Sequence, residues 1–213
     1  MKREGATFFT QLLLWRALRD LEARGVRTPR ALGNSAQLAS RMHHAFYDPK
    51  SGLYRSVLGA EQVSLEGCLF AIVWGFVSEG ARSEFWAKLK ASSLWQEEGR
   101  QIPGRATAPD YPSSDVSPMN RAVGLRHYHD RMVWSWLVAL SARTAFFVGD
   151  REEGKRILSW LEERVRADGA VYELYDPRRG LKPFRSALFR SERDFSWGSA
   201  QIVEAVFASN GQF

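Results

Sequence analysis

Apolar positions recur along the chain at helical spacing in seven segments, and two kinds of segment alternate. Residues 6–24 carry a wide apolar face of Phe8, Phe9, Leu12, Leu13, Leu14, Trp15, Leu18 and Leu21. Residues 28–46 are amphipathic through Leu32, Leu38, Met42 and Phe46, and residues 64–77 are apolar almost all round. Residues 79–91 are amphipathic again, with Phe85, Trp86 and Leu89 on one side. Residues 128–148 are apolar nearly all round, through Val133, Trp134, Trp136, Leu137, Leu140, Phe146 and Phe147. Residues 151–167 carry one stripe of Ile157, Leu158, Leu161 and Val165, and residues 196–208 place Ser199, Ile202, Val203, Val206 and Phe207 on one face.

A helix apolar on every side must be buried on every side, whereas an amphipathic one covers a core from outside. Alternation of the two, with neighbours in sequence packing as neighbours in space, predicts two layers of helices wound in and out. The predicted fold class is all-α, an α/α toroid, here a partial barrel of about seven helices in a single domain over residues 1–213. The outward connections are short (25–27, 78–79, 149–150), and the inward ones are long (47–63, 92–127, 168–195). In such a winding all inward connections meet at one end, at the N-termini of the inner helices. Long loops in a compact domain are usually functional, so the site is expected there, with the Pro-, Ser- and Gly-rich segment 92–127 wrapping over it.

Composition narrows the function without choosing it. Hydrophobic residues at 45% and charged residues at 25% are an ordinary globular balance, which excludes disorder for most of the chain. The 30 Lys+Arg against 24 Asp+Glu give a net charge of +6, spread without the concentrated stripe of a nucleic-acid reader. Nucleic acid is therefore not an expected partner. Eight Trp, thirteen Phe and six Tyr supply core and, equally, the flat surfaces on which sugar rings stack. Cys68 is the single cysteine, so no intrachain disulfide can form, and its apolar surroundings predict an inert buried thiol. One Cys and four His offer no metal cluster, and no cofactor is expected. No signal-type segment and no apolar run of the ~20 residues a membrane span needs is present, so a cytoplasmic protein without membrane association is expected.

Three segments on the inward loops could carry chemistry. Phe46-Tyr47-Asp48-Pro49-Lys50-Ser51-Gly52-Leu53-Tyr54 is turn chemistry and predicts a tight hairpin after a helix. His127-Tyr128-His129-Asp130-Arg131 with Trp134 and Trp136 opens an otherwise apolar inner helix, where free N–H groups favour a polar ligand. Tyr128, His129, Asp130 and Trp134 would line a pocket wall, or else Asp130 simply caps the helix. Val171-Tyr172-Glu173-Leu174-Tyr175 alternates like a short strand, with Val171, Glu173 and Tyr175 on one face. A carboxylate among aromatics there can be desolvated and act on a water. The alternative is a salt bridge from Glu173 to Arg190 or Arg193. Ser196 or Asp194 is placed to cap the last helix, beside Trp197.

Taken in order, these segments resemble the second half of the six-hairpin glycosidases, most closely amylo-alpha-1,6-glucosidase (glycogen-debranching) domains, with processing alpha-glucosidases and mannosylglycerate hydrolases as relatives. The likeness runs from Phe46-Tyr47-Asp48-Pro49 with Gly52-Leu53-Tyr54, through Val63–Ile72 and Tyr128-His129 with Val133-Trp134-Ser135-Trp136. It ends at Glu173-Leu174-Tyr175-Asp176-Pro177 with Gly180, then Phe195-Ser196-Trp197. The resemblance implies an inverting glycoside hydrolase of carbohydrate metabolism, of alpha-glucosidase or debranching type, with Glu173 as general base. It implies Tyr128, His129, Asp130, Trp134, Trp136, Tyr175, Arg190 and Trp197 as substrate-binding residues. Arg131 and Ser135 stand where the family has glycine and proline. The family's general acid lies in the first half of the barrel, which has no counterpart here. A complementary N-terminal half-barrel chain or a homo-oligomer is therefore an expected partner beside the carbohydrate. Two other readings are a non-catalytic carbohydrate-binding half-toroid and a toroid sugar epimerase working through His129.

Overall fold

A computed structural model describes residues 6–27, 33–95 and 102–212. The protein is mostly helical. The described residues form eight α-helices: α1 (Phe8–Ala23), α2 (Ser35–Phe46), α3 (Leu65–Val73), α4 (Arg82–Ala91), the short α5 (Pro118–Ala122), α6 (Ser135–Phe147), α7 (Arg151–Asp168) and α8 (Ser196–Ser209). Helix starts follow local chemistry. The Asn34 side chain and Gln37 form a reciprocal capping box on α2, Ser64 accepts from Gly67 N at the head of α3, and Asp150 accepts from Glu153 N at the head of α7. Leu32, expected on the α2 stripe, lies outside the described residues.

The expected contrast between helix types holds in the packing. Every position of α3 except Glu66 and Val73, and every position of α6 except Arg143 and Phe147, is buried. Helices α1, α3, α6 and α8 pack in a row, each against the next, while α2 packs on α1, α4 on α3, and α7 on α6 and α8. Small strands bind the heads of the row together. They comprise a hairpin of β1 (Tyr47–Asp48) and β2 (Leu53–Tyr54), a pair of β3 (Val63–Ser64) and β4 (Thr107–Ala108), and an antiparallel trio of β5 (Val133–Trp134), β6 (Leu174–Asp176) and β7 (Lys182–Pro183). Single bridges join Thr7 to Val57, Arg55 to Val63 and Arg105 to Val133. Strand β3 runs directly into α3 and β5 into α6, Thr7 precedes α1, and Phe195 N, just before α8, bonds Val171 O at 3.0 Å. The N-termini of all four row helices therefore gather at the end built from the long connections.

Two expectations need correction. The helix predicted over 128–148 begins only at Ser135, because residues 133–134 are claimed by pairing with β6 (Val133 opposite Tyr175, Trp134 opposite Leu174), and residues 127–132 turn back on themselves. Helix α8 buries Gly198, Ala205 and Ala208, whereas Trp197, Val203, Val206 and Phe207 stand about half exposed. Its small residues let the backbone approach α6 closely, and that contact turns its larger apolar face outward. Neither Ser196 nor Asp194 caps α8: its N-cap is Phe195 and no side chain bonds there. No described helix is long and apolar enough to cross a membrane.

Candidate functional site

The site is built where the 127–134 turn meets the 172–176 strand. Glu173 sits at a bend between the Tyr172–Arg193 bridge and β6 and is only 8% exposed. Its backbone is fixed on both sides: its N–H donates to Glu192 O at 2.9 Å, and its carbonyl accepts from Ser135 N, the first residue of α6, at 3.1 Å. The Tyr128 hydroxyl donates to Glu173 Oε1 at 2.6 Å. Burial, that bond and the nearby charges of Glu173 and Glu192 push the Tyr128 phenol above its ordinary range, so it stays a donor. The alternative, a salt bridge, does not form: neither Arg190 nor Arg193 pairs with Glu173, and Arg193 meets Asp194 at 3.7 Å.

Aromatic rings cluster around Tyr128. Tyr128 stands edge-on to Trp134 (centroids 4.6 Å) and to His129 (4.8 Å), and His129 lies roughly parallel to Trp134 at 6.4 Å. Trp134 Nε1 donates to Tyr128 O at 2.9 Å, and Thr107 Oγ1 to His129 O at 2.7 Å, so β4 steadies the turn. Residues 104–111 thus pack on this turn as expected of the long segment, while 96–101 lie outside the described residues. Tyr128, His129 and Trp134 are half-buried. Trp136 is buried beneath a half-exposed Trp197, the indoles stacked at 4.8 Å and 10°. Ser135 Oγ and Trp136 Nε1 are buried without hydrogen-bond partners.

Three expected residues take other places. Asp130 is 2% exposed and is spent on the turn, accepting from His127 Nδ1 (2.9 Å), Arg131 N (2.7 Å) and Tyr111 N (3.2 Å). Tyr175 does not share the face of Glu173. The bend at Glu173 breaks the alternation, and Tyr175 is 1% exposed against Trp160 of α7, where burial pushes its phenol up to about 12. Arg190 lies exposed on the following hairpin, across from Arg185. Cys68 is buried as expected, and burial pushes its thiol up to about 12, which removes it as a nucleophile.

Donor atoms of Asp110, His127 and Asp130 lie within 4.8 Å of one another. Burial opposes ionisation of Asp110, but Arg131 (Nε 2.6 Å from Oδ2) and Arg105 outweigh it and hold the carboxyl below its usual range. With both carboxylates so engaged, the cluster braces the turn. Two cavities, of about 550 and 350 Å³, flank the hairpin: one lined by Asp48, Arg55, Ser92 and Pro109, the other by His43, Tyr47, Tyr54 and Phe76. Neither is lined by Glu173, and no sequence signal marked them, since the first forms only when β3 pairs with β4. A carboxylate fixed in this way can take a proton from a water or hydroxyl that reaches it. Comparison with protein-family models and with curated proteins gives no match.

Proposed function

We propose that the chain is a glycoside hydrolase of alpha-glucosidase or debranching type, or the C-terminal part of one, acting with inversion on an alpha-linked glucoside or oligosaccharide. The observation that carries this reading is the buried Glu173 carboxylate, held by Tyr128, whose ring packs against those of His129 and Trp134, at the end where four helices begin. A carboxylate so fixed is suited to activating a water, and half-buried aromatic rings nearby are suited to sugar C–H surfaces. The row α1, α3, α6, α8 with α2, α4 and α7 against it supports reading the fold as part of an α/α toroid. The glycosidase-like segments Phe46–Tyr54, Tyr128–Trp136 and Glu173–Trp197 fall at the strand-bound end of that row. Hydrolysis needs only water, so the reading requires no cofactor, and it places the enzyme in the cytoplasm with no nucleic-acid or membrane partner.

Four row helices leave a six-hairpin barrel open, and further polypeptide would complete it. The outward apolar residues of α8 favour a second reading, a non-catalytic carbohydrate-binding half-toroid that needs a partner chain. The deciding assay measures turnover of aryl α-glucosides and maltooligosaccharides by the wild type, Glu173→Gln and His129→Ala. Loss of at least about a hundredfold in Glu173→Gln is expected for an essential base. Activity that survives Glu173→Gln but not His129→Ala would replace this reading with an epimerase-like one. Binding of maltooligosaccharides without turnover would establish the second reading.

A further inference from the structure

The chain between β7 and α8 doubles back as a hairpin on which two cations stand face to face. Arg185 and Arg190 form an antiparallel bridge, flanked by bonds from Ser191 N to Phe184 O (2.8 Å) and from Ser186 N to Phe189 O (2.8 Å). That pattern makes them a non-hydrogen-bonded pair, the kind in which Cα atoms stand about 4.5 Å apart and the side chains leave one face at their closest. Both are exposed. Arg179, also exposed, donates from Nη1 to Arg185 O at 3.2 Å, which sets a third guanidinium beside the pair with most of its N–H donors left over. Among the described residues no carboxylate forms an ion pair with any of the three, although Glu192 lies two positions beyond Arg190; Arg193, further on, pairs with Asp194. Like charges directly opposite one another destabilise a sheet. The turn nevertheless holds them in place. Ser186 Oγ accepts from Leu188 N (3.3 Å) and Phe189 N (3.0 Å) and donates to Val123 O (2.6 Å), and Phe189 packs on the buried Phe184.

We propose that Arg185 and Arg190, with Arg179 beside them, form an anion site that takes a phosphate group, as inorganic phosphate or as the monoester of a small sugar. A guanidinium is planar and always charged, and its paired N–H donors match phosphate oxygens two at a time. Two such forks rising from facing positions converge on one tetrahedral anion, which turns their mutual repulsion into shared attraction. A phosphate monoester carries about −1.5 to −2 charge near neutrality and three acceptor oxygens, enough to answer two or three guanidinium groups at once. A carboxylate brings one charge and two oxygens and leaves the pair undercompensated. The cluster is confined to one hairpin and the turn beside it, a footprint for a single small anion and not for a polymer. The strand leaving Arg190 continues through Ser191 and Glu192 to the bond that Glu192 O accepts from Glu173 N, so the anion lies on the chain that flanks the candidate site. Anion binding here does not depend on whether Glu173 acts as a base.

The test is thermal melting of the full chain against rising inorganic phosphate, with ionic strength held constant by chloride. The wild type is expected to gain about 3 °C or more once phosphate reaches roughly ten times its dissociation constant. Arg190→Gln relieves the repulsion, so without phosphate it should melt no lower than the wild type, and its gain on adding phosphate should vanish. Arg185→Gln should behave the same way. Arg190→Lys keeps the charge but loses the fork, and should bind phosphate about tenfold or more weakly. Glucose 6-phosphate and glucose, titrated in parallel, separate the two sources. Tighter binding of the ester than of inorganic phosphate identifies a sugar phosphate, and equal or weaker binding identifies the free ion; either supports the site. No gain in the wild type, a gain reproduced by chloride alone, or a gain that survives in both Gln variants overturns the proposal. A lowered melting temperature in both Gln variants without phosphate would assign the arginines to the hairpin's own stability and overturn it as well.

Discussion

Tyr128 and Glu173 lie 45 positions apart and meet through one 2.6 Å hydrogen bond. Because the phenol remains protonated, it acts on the carboxylate as a fixed donor that selects one orientation. Tyr128→Phe deletes that bond and little else, so kcat should fall about tenfold with KM nearly constant, the cost of one hydrogen bond to a charged group. An equal rise in KM would assign Tyr128 to substrate binding instead. A second residue-scale effect sits on the β1–β2 hairpin. Asp48 accepts from Ser51 Oγ and N, and from Arg55, and its pKa falls to about 2. A folded value below the unfolded one means stability present near neutrality and lost as pH falls from about 4 through about 2. Asp48→Asn should cost about 1 kcal/mol at neutral pH, discounted for solvent screening, and should flatten that acid limb in urea melts. The sequence singles out Glu173 as a candidate, a carboxylate between aromatics within a long connection. Its partners are not marked there. Tyr128 was read as pocket wall because a hydrogen bond across 45 positions leaves no local pattern, and Tyr175 was misplaced because the bend at Glu173 is set by the Ser135 and Glu192 bonds.

At the scale of elements, periodicity revealed which helices are buried but not which neighbour each face meets. Helices α3 and α6 were readable because an apolar surface all round permits one environment only. The start of α6 was not, since Trp134 yields its helical position to a strand partner supplied by residue 174. Helix α8 carries its larger apolar residues outward, because Gly198 lies so close to α6 that an added Cβ would sit 2.5 Å from Ser135 Oγ and 3.0 Å from Val171 Cγ1. Gly198→Ala must push Ser135 or the strand aside, and a destabilisation of about 1–3 kcal/mol is expected in chemical denaturation. Because Ser135 N also holds the Glu173 carbonyl, activity should fall with it. Between α4 and α7, Asp150 caps α7 and also accepts from Trp86 Nε1 (2.9 Å) and Lys90 Nζ (2.6 Å). Asp150→Ala removes a cap and strands a part-buried indole N–H, so a loss of about 2–3 kcal/mol is expected, or roughly 4–12 °C in melting temperature. Lys90→Ala should cost less than half as much, since it leaves the cap and the indole bond in place.

At the scale of the whole molecule, the row of helices has two open flanks. Helix α1 presents Leu13 (45% exposed) and Leu21 (39%), and α8 presents Trp197, Val203, Val206 and Phe207. Single exposed apolar residues are ordinary, but several along one helix face mark a surface built to be covered. They belong to the two end helices of the row, while the middle members α3 and α6 are enclosed. On the toroid reading proposed above, a completing polypeptide is the occupant this pattern fits, since continuing the row at either flank would cover those positions in the way α3 and α6 are covered. Uncovered, the flanks should make the isolated chain associate with itself as concentration rises, detectable by light scattering and sedimentation. Val203→Glu with Phe207→Glu should return it to a single monomeric species. Both positions are exposed, so each change should alter stability by no more than about 0.5 kcal/mol, leaving the melting temperature within a few degrees. A wild-type chain that is already a monodisperse monomer at every concentration would remove the argument for a covered flank. Loss of solubility or of the melting transition in the double variant would instead show that the outward face of α8 contributes to this chain's own core.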